Sequence, residues 1–245
     1  MDLGLTNKHA LILAASKGLG KASALALARE GARITIAART QTDLEQTAAE
    51  IRTQTGSTVT AIPTDVTNPA QLDVLFQTSG PIDILVNNAG GPPFAPFESF
   101  TDDQWHSALE LNFMSVIRAT RLALPGMKQG RWGRIINLLS LSVKSVLNNS
   151  VLSTATRLGV AGMSKLLADE VAHHGITVNN IATGMILTDR VRQMNMEHMA
   201  DTIPARRLGQ SDELGALVAF LASEQAAYIT GATIPIDGGL NRAIL

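Results

Sequence analysis

The chain of 245 residues has no cysteine. Disulfides, thiolate metal centres and cysteine nucleophiles are thereby excluded, and the lack fits a reducing compartment. Long apolar runs are also missing: none approaches the ~20 residues that a membrane helix needs. The N-terminal run from Ala10 to Ala15 is too short for a secretory signal. Neither charge sign is in excess, with 20 Lys and Arg against 21 Asp and Glu, so neither a nucleic-acid surface nor a polybasic membrane anchor is expected. Aromatic residues make up only 4%, and Tyr228 is the sole tyrosine. These absences point to a soluble, cytoplasmic protein with a small-molecule partner, no nucleic acid, no membrane and no metal. The chain also lacks internal repeats, low-complexity tracts and linkers.

Apolar residues make up 45% of the chain, enough for one sizeable core, and residues 1–245 are expected to form a single domain. Short aliphatic runs alternate with longer segments of helical period, the pattern of a parallel sheet covered on both faces. Strands are expected at His9 to Ala14, Arg33 to Ala38, Thr58 to Pro63, Ile82 to Asn87, Gly133 to Leu139, Ile176 to Ile181 and Thr233 to Ile236. Helices are expected at about 18 to 30, 41 to 54, 69 to 79, 101 to 127, 152 to 173 and 211 to 222, with a further one around 188 to 200. Thr101-Asp102-Asp103 and Ser211-Asp212-Glu213 supply capping and acidic first-turn signals for two of these starts. The fold class is α/β: a Rossmann-type, doubly wound parallel sheet of about seven strands.

Ser16-Lys17-Gly18-Leu19-Gly20 follows the first strand and opens the first helix. Two residues without side chains let the backbone turn sharply and approach an anion, while free N–H groups and the positive end of the helix face it. After the second strand, where an acid would bind the 2′-hydroxyl of NAD, stand Ala38 and Arg39. Lys17 and Arg39 therefore flank one site with two cations, as a 2′-phosphate requires, and the expected cofactor is NADP(H).

Further along come Asp65-Val66, Asn87-Asn88-Ala89-Gly90, Asn112, Ile176-Thr177-Val178-Asn179 with Gly184 and Thr188, Ile229-Thr230-Gly231 and Asp237-Gly238-Gly239. In order and spacing these segments resemble the short-chain dehydrogenase/reductase family, of the type that includes 3-oxoacyl-acyl-carrier-protein reductases. The resemblance covers nearly the whole chain. It implies one Rossmann domain, a bound nicotinamide nucleotide and usually a homotetramer. It also implies cofactor contacts at Ser16, Lys17, Gly18, Leu19, Gly20, Arg39, Asp65, Val66, Asn88, Ala89, Gly90, Gly184, Ile186 and Thr188, with Asn87 beside them. Asn112 matches the family's active-site asparagine, which holds a helix kink and a water of the proton relay.

Three positions depart from the family pattern. Ala14 replaces the first glycine of the turn, and Thr183 replaces the proline usually found before Gly184. The third departure touches the chemistry. Alignment through Asn137-Leu138-Leu139-Ser140 puts Ser140 at the family's serine, but Ser153 stands thirteen residues on where tyrosine belongs, and Arg157 four further where lysine belongs. Tyr228 matches an ordinary aromatic position, and Lys165 lies eight residues beyond Arg157, about 12 Å along the helix. Neither restores the triad.

Serine is a far weaker acid than tyrosine and its side chain is shorter, while a guanidinium does not readily release its proton. The expected reaction is nevertheless a reduction of a ketone or 3-oxoacyl substrate by NADPH, slowed by the roughly 10²–10⁴ that a positioned acid contributes. Asn112, Ser140, Ser153 and Arg157 form its catalytic set. Lys144 is an alternative proton donor, whereas His173-His174 reads as a solvated helix end. Met194, Met196 and Met199, within Met185 to Met199, read first as core or interface packing, with an apolar lid over the substrate as the alternative. Two other readings fit the altered triad: a catalytically impaired relative that senses NADP(H), or a partner subunit of an active reductase.

Overall fold

Aliphatic residues occupy both faces of each central strand, so these strands form stable structure only when covered from both sides. A computed structural model, which describes residues 2–193 and 195–243, shows such a sheet. Its strands are β1 (His9–Leu13), β2 (Arg33–Ala38), β3 (Val59–Pro63), β4 (Ile84–Asn87), β5 (Gly133–Ser140), β6 (Ile176–Thr183) and β7 (Thr233–Ile236). They are all parallel, in the order β3-β2-β1-β4-β5-β6-β7. The order reverses between β1 and β4, the switch point outside which doubly wound folds bind ligands. No described helix is long and apolar enough to cross a membrane.

The helices between the strands are α1 (Gly18–Arg29), α2 (Gln41–Thr55), α3 (Pro69–Ser79), α4 (Asp102–Leu109), α5 (Ser115–Gly130), α6 (Val151–Val171), α7 (Asp189–Gln193) and α8 (Ser211–Ala222). The core alternates with the pleat. In β1, Ala10 and Ile12 pack with Leu27 of α1 and Leu214 of α8, while Leu11 and Leu13 pack with Leu72 of α3 and Ala119 of α5 on the other face. Local signals fix the starts of two helices. Thr101 and Gln104 close a capping box on α4, and Asn68 caps α3 with Pro69 at its first position.

Most element ends differ from the expected ones by one or two residues, β4 for example beginning at Ile84 rather than Ile82, and three differences bear on the site. The helix expected over 101 to 127 is divided: α4 and α5 are joined by a π turn over Glu110–Met114, and α5 runs on to Gly130. The helix expected around 188 to 200 is only the short α7 followed by a 3-10 segment, Glu197–Thr202. Finally, β6 runs two residues further than expected, to Thr183. Thr183 pairs with Ser140 in the ladder and donates its hydroxyl to the Leu139 carbonyl at 2.7 Å. A proline there would bring no such hydroxyl.

Candidate active site

One large cleft of about 1430 Å³ runs along the carboxyl ends of the strands. Its walls come from the segments that follow β1, β2, β3, β4, β5 and β6, together with Leu240–Ala243 near the end of the chain. Asp237 shapes that last segment, its carboxylate accepting the N–H groups of Gly239 and Asn241 at 2.9 and 2.7 Å.

At the β1 end the glycine turn leads into α1. Gly18 has φ +57°, and a Cβ added to it would lie 3.7 Å from Cγ2 of Thr188, which places Thr188 against the turn. Gly20 does not line the cleft but lies beneath it. A Cβ there would meet the Ala14 carbonyl at 2.5 Å and both the Ala15 Cα and the Asn88 amide nitrogen at 2.9 Å. The same Asn88 nitrogen donates to the Ala14 carbonyl at 3.1 Å, tying the segment after β4 to the turn.

Ser16, Lys17, Gly18 and Leu19 line this end of the cleft, with Arg39, Asp65 and Val66 beside them. Asp65 accepts the backbone N–H and hydroxyl of Thr67 at 2.9 and 2.8 Å. The backbone bond from Thr67 is the main reason its carboxyl lies below the usual carboxylate range, and the Arg39 cation adds to the effect. Asp43, in the first turn of α2, also lines the cleft and was not singled out from the sequence. Its acidic side chain has no motif around it that would separate it from ordinary first-turn acids.

Asn88, Ala89 and Gly90 line the middle of the cleft, and Gly184, Ile186 and Thr188 line the wall that follows β6. Asn87 is not there. It is 1% exposed, and its amide donates to Asn137 at 2.8 Å and Thr120 at 3.2 Å, so it belongs to the sheet interior. Alternation along β4 sends Asn87 inward.

At the β5 end, Ser140, Ser153 and Arg157 line the same cleft. Positions 153 and 157 share one face of α6 because four residues make about one turn. Nη1 of Arg157 donates to Oγ of Ser153 at 2.6 Å, and both residues are buried. Burial, with a smaller push from Arg190, lowers the guanidinium pKa to about 10. Ser140 accepts the Ser142 N–H at 3.2 Å and its own hydroxyl proton remains available to a ligand.

Asn112 sits on the π turn and faces a second, small cavity behind the cleft rather than the cleft itself. That cavity is about 10 Å³, near the lower limit for one water, and Asn87 and Arg157 also line it. The side-chain oxygens of Asn87 and Asn112 are buried there without a protein partner among the described residues. The site thus joins Arg157 to both spaces.

Lys144 lines the cleft, as do Met185, Met196 and Met199 of the segment read as packing or lid, while Met194 lies outside the described residues. Tyr228 is fully exposed, Lys165 packs near Gly231, and His173-His174 forms a 3-10 turn after α6, none of them at the cleft. Missed from the sequence were His106, Glu110 and Arg190, which converge on the cleft from two distant helices and the π turn. Arg190 donates to the Gly91 and Pro92 carbonyls at 3.0 and 3.3 Å, strapping α7 to the loop after β4.

The arrangement suits a dinucleotide. The turn offers N–H groups and a helix end of the kind that hold a phosphate, and two cations, Lys17 and Arg39, line the same end of the cleft. Residues 13–241 match the family described as enoyl-(acyl carrier protein) reductase. The 3-oxoacyl-(acyl-carrier-protein) reductase FabG of Vibrio cholerae is 37% identical over 247 aligned positions, covering 97% of this chain and 99% of that protein. Its counterpart in Escherichia coli (strain K12) is 36% identical over 245, covering 97% and 99%. Among solved structures, L-sorbose reductase from Gluconobacter frateurii, complexed with NADPH and L-sorbose, superposes with a TM-score of 0.94 at 31% identity and covers 100% of both chains.

Proposed function

Because the chain belongs to the short-chain dehydrogenase/reductase family of oxidoreductases, we propose that it reduces a ketone or 3-oxoacyl-type carbonyl with NADPH through a Ser140, Ser153 and Arg157 site. The observation that carries this reading is the single cleft holding both the glycine turn with Lys17 and Arg39 and the two serines with Arg157.

Bound NADPH supplies the hydride. The chain's own residues hold and polarise the acceptor. Lys17 and Arg39 take the 2′-phosphate, and the N-terminal turn of α1 takes the pyrophosphate. Ser140 and Ser153 hydrogen-bond to the substrate oxygen through their hydroxyls and keep their protons. Since Oγ of Ser153 already accepts from Arg157, its own proton is free for that purpose, and the adjacent cation strengthens the donation. As hydride reaches the carbonyl carbon, the C=O electron pair moves onto oxygen, and Arg157 offsets the negative charge that develops there. Its guanidinium keeps its protons. The alkoxide therefore takes its proton from water entering the open cleft, with Lys144 as the alternative donor. Exposed Leu109, Leu158 and Leu166 give α4 and α6 an apolar surface that supports assembly of copies as a homotetramer.

The altered triad also favours a second reading, because no phenol lines the cleft and a relative that has lost turnover would still sense NADP(H). One assay separates the two. Purified protein should bind NADPH more tightly than NADH by about tenfold or more, with the difference lost in Lys17→Ala/Arg39→Ala. It should also oxidise NADPH only when a carbonyl compound is added, with kcat falling on the order of 10²-fold in Ser140→Ala. Tight NADPH binding with no carbonyl turned over would establish the sensor instead.

A further inference from the structure

Arg157 is 8% exposed, and its only hydrogen bond among the described residues is to the neutral Ser153 hydroxyl. No described carboxylate pairs with it. Buried cations are ordinarily matched by an acid, because burial strips their hydration. The surroundings make the imbalance larger. Lys144 and Arg190 line the same end of the cleft, while its acids are engaged elsewhere: Glu110 holds Arg118 and Asp189 holds Arg192. The charge that burial and Arg190 depress toward a pKa of about 10 is still present at neutral pH.

A guanidinium offers five N–H groups in a planar fork that matches an oxyanion in two-point contact. One N–H is used on Ser153, and the neutral oxygens of Asn87 and Asn112 stand beside the small cavity behind it. None of these partners carries negative charge. The 2′-phosphate site of Lys17 and Arg39 lies at the other end of the cleft, after β1 and β2, so it does not neutralise Arg157.

We propose that Arg157 is the receptor for a carboxylate carried by the substrate itself, so that the preferred acceptor is a free 2-oxo or 3-oxo acid, with Lys144 as the second cation. The placement sets the spacing. The carbonyl oxygen must reach Ser140 and Ser153 while the carboxylate reaches a guanidinium hydrogen-bonded to one of those serines, which leaves room for one or two carbons between them. Arg157 then serves both ends of the acceptor, fixing the carboxylate and stabilising the oxygen that becomes the alcohol. This inference rests on the reductase reading and narrows its substrate class.

The test compares matched acids and methyl esters, pyruvate with methyl pyruvate and acetoacetate with methyl acetoacetate, together with dihydroxyacetone phosphate. The acids should exceed their esters in kcat/KM on the order of 10²-fold. Arg157→Met should lose that preference, Arg157→Lys should keep part of it, and Lys144→Ala should weaken it by a smaller factor. A readout without turnover accompanies it: acetoacetate should raise the melting temperature of the NADP+-saturated parent, which has no hydride to give, but not of Arg157→Met. The Met variant by itself should melt no lower than the parent, since it removes an unmatched buried charge. Equal use of acid and ester, an equal loss for both in Arg157→Met, or preference for dihydroxyacetone phosphate would overturn the carboxylate assignment and leave the reductase reading intact. Should no carbonyl of either kind be reduced, the reductase reading fails, and the melting shift alone decides whether Arg157 binds a carboxylate.

Discussion

Ala14 carries a methyl group at φ 47°, in the left-handed region that glycine normally fills. The family's first glycine is therefore replaced in sequence but not in backbone conformation, because the Ala14 carbonyl must still meet Gly20 and Asn88 beneath the turn. Left-handed alanine costs about 1–2 kcal/mol, and glycine gives back roughly 0.5–1 kcal/mol through the unfolded chain. Ala14→Gly should accordingly stabilise the protein by about 0.5–1 kcal/mol in urea unfolding; a loss of stability would show that the methyl contributes packing that outweighs the strain. Most of the site was legible at this scale. Ser16 to Leu19 of the glycine turn, Arg39, and the serine, serine and arginine positions were read directly and line one cleft, with Gly20 beneath it. Asn87 was misplaced relative to the cleft by one residue of strand alternation, whereas Asn112 stands on the π turn beside a cavity near the size of one water. Neither placement is encoded in the identity of an asparagine.

The strand register lines up Asn87, Asn137, Asn180 and Thr233 across β4, β5, β6 and β7. Their side chains form a buried ladder: Asn87 donates to Asn137 at 2.8 Å, Asn137 to Asn180 at 2.9 Å, and Asn180 to the Thr233 hydroxyl at 3.1 Å. Asn137 also donates to Ser164 of α6 at 3.0 Å, which fixes that helix, and with it Ser153 and Arg157, to the sheet. Removing the central rung leaves the Asn180 oxygen without its donor and opens a cavity. Asn137→Ala should cost roughly 2–4 kcal/mol in denaturant unfolding, well above a surface substitution. A cost below about 0.5 kcal/mol would mean that the ladder does not hold α6. Helices and strands were predictable here because hydrophobic period and end signals agree along each segment, as at the Thr101 cap of α4 and the acidic first turn of α8, although Gln210 rather than Ser211 caps the latter. The division of the helix over 101 to 127 was not, since the local pattern continues through Glu110–Met114 and the π turn depends on packing against α6.

Across the whole molecule, the parallel sheet gathers the segments after β1 to β6 at one edge, so residues as far apart as Lys17 and Arg242 line one cleft. Fold class and cofactor end were readable from motifs that follow single strands. Arg157 and Lys144 were readable as members of the substrate end, but Arg190 was not, because it comes from α7, whose approach to the cleft only the folded chain sets. The central claim is hydride transfer at a site without a phenolic acid. It is tested most directly by incubating the protein with NADPH deuterated at C4 and a reducible carbonyl, then locating the label in the product by mass spectrometry. Transfer of one deuterium to the carbinol carbon, abolished or slowed on the order of 10²-fold in Ser140→Ala, is the predicted result. Bound deuterated NADPH that remains intact with every carbonyl offered would contradict it.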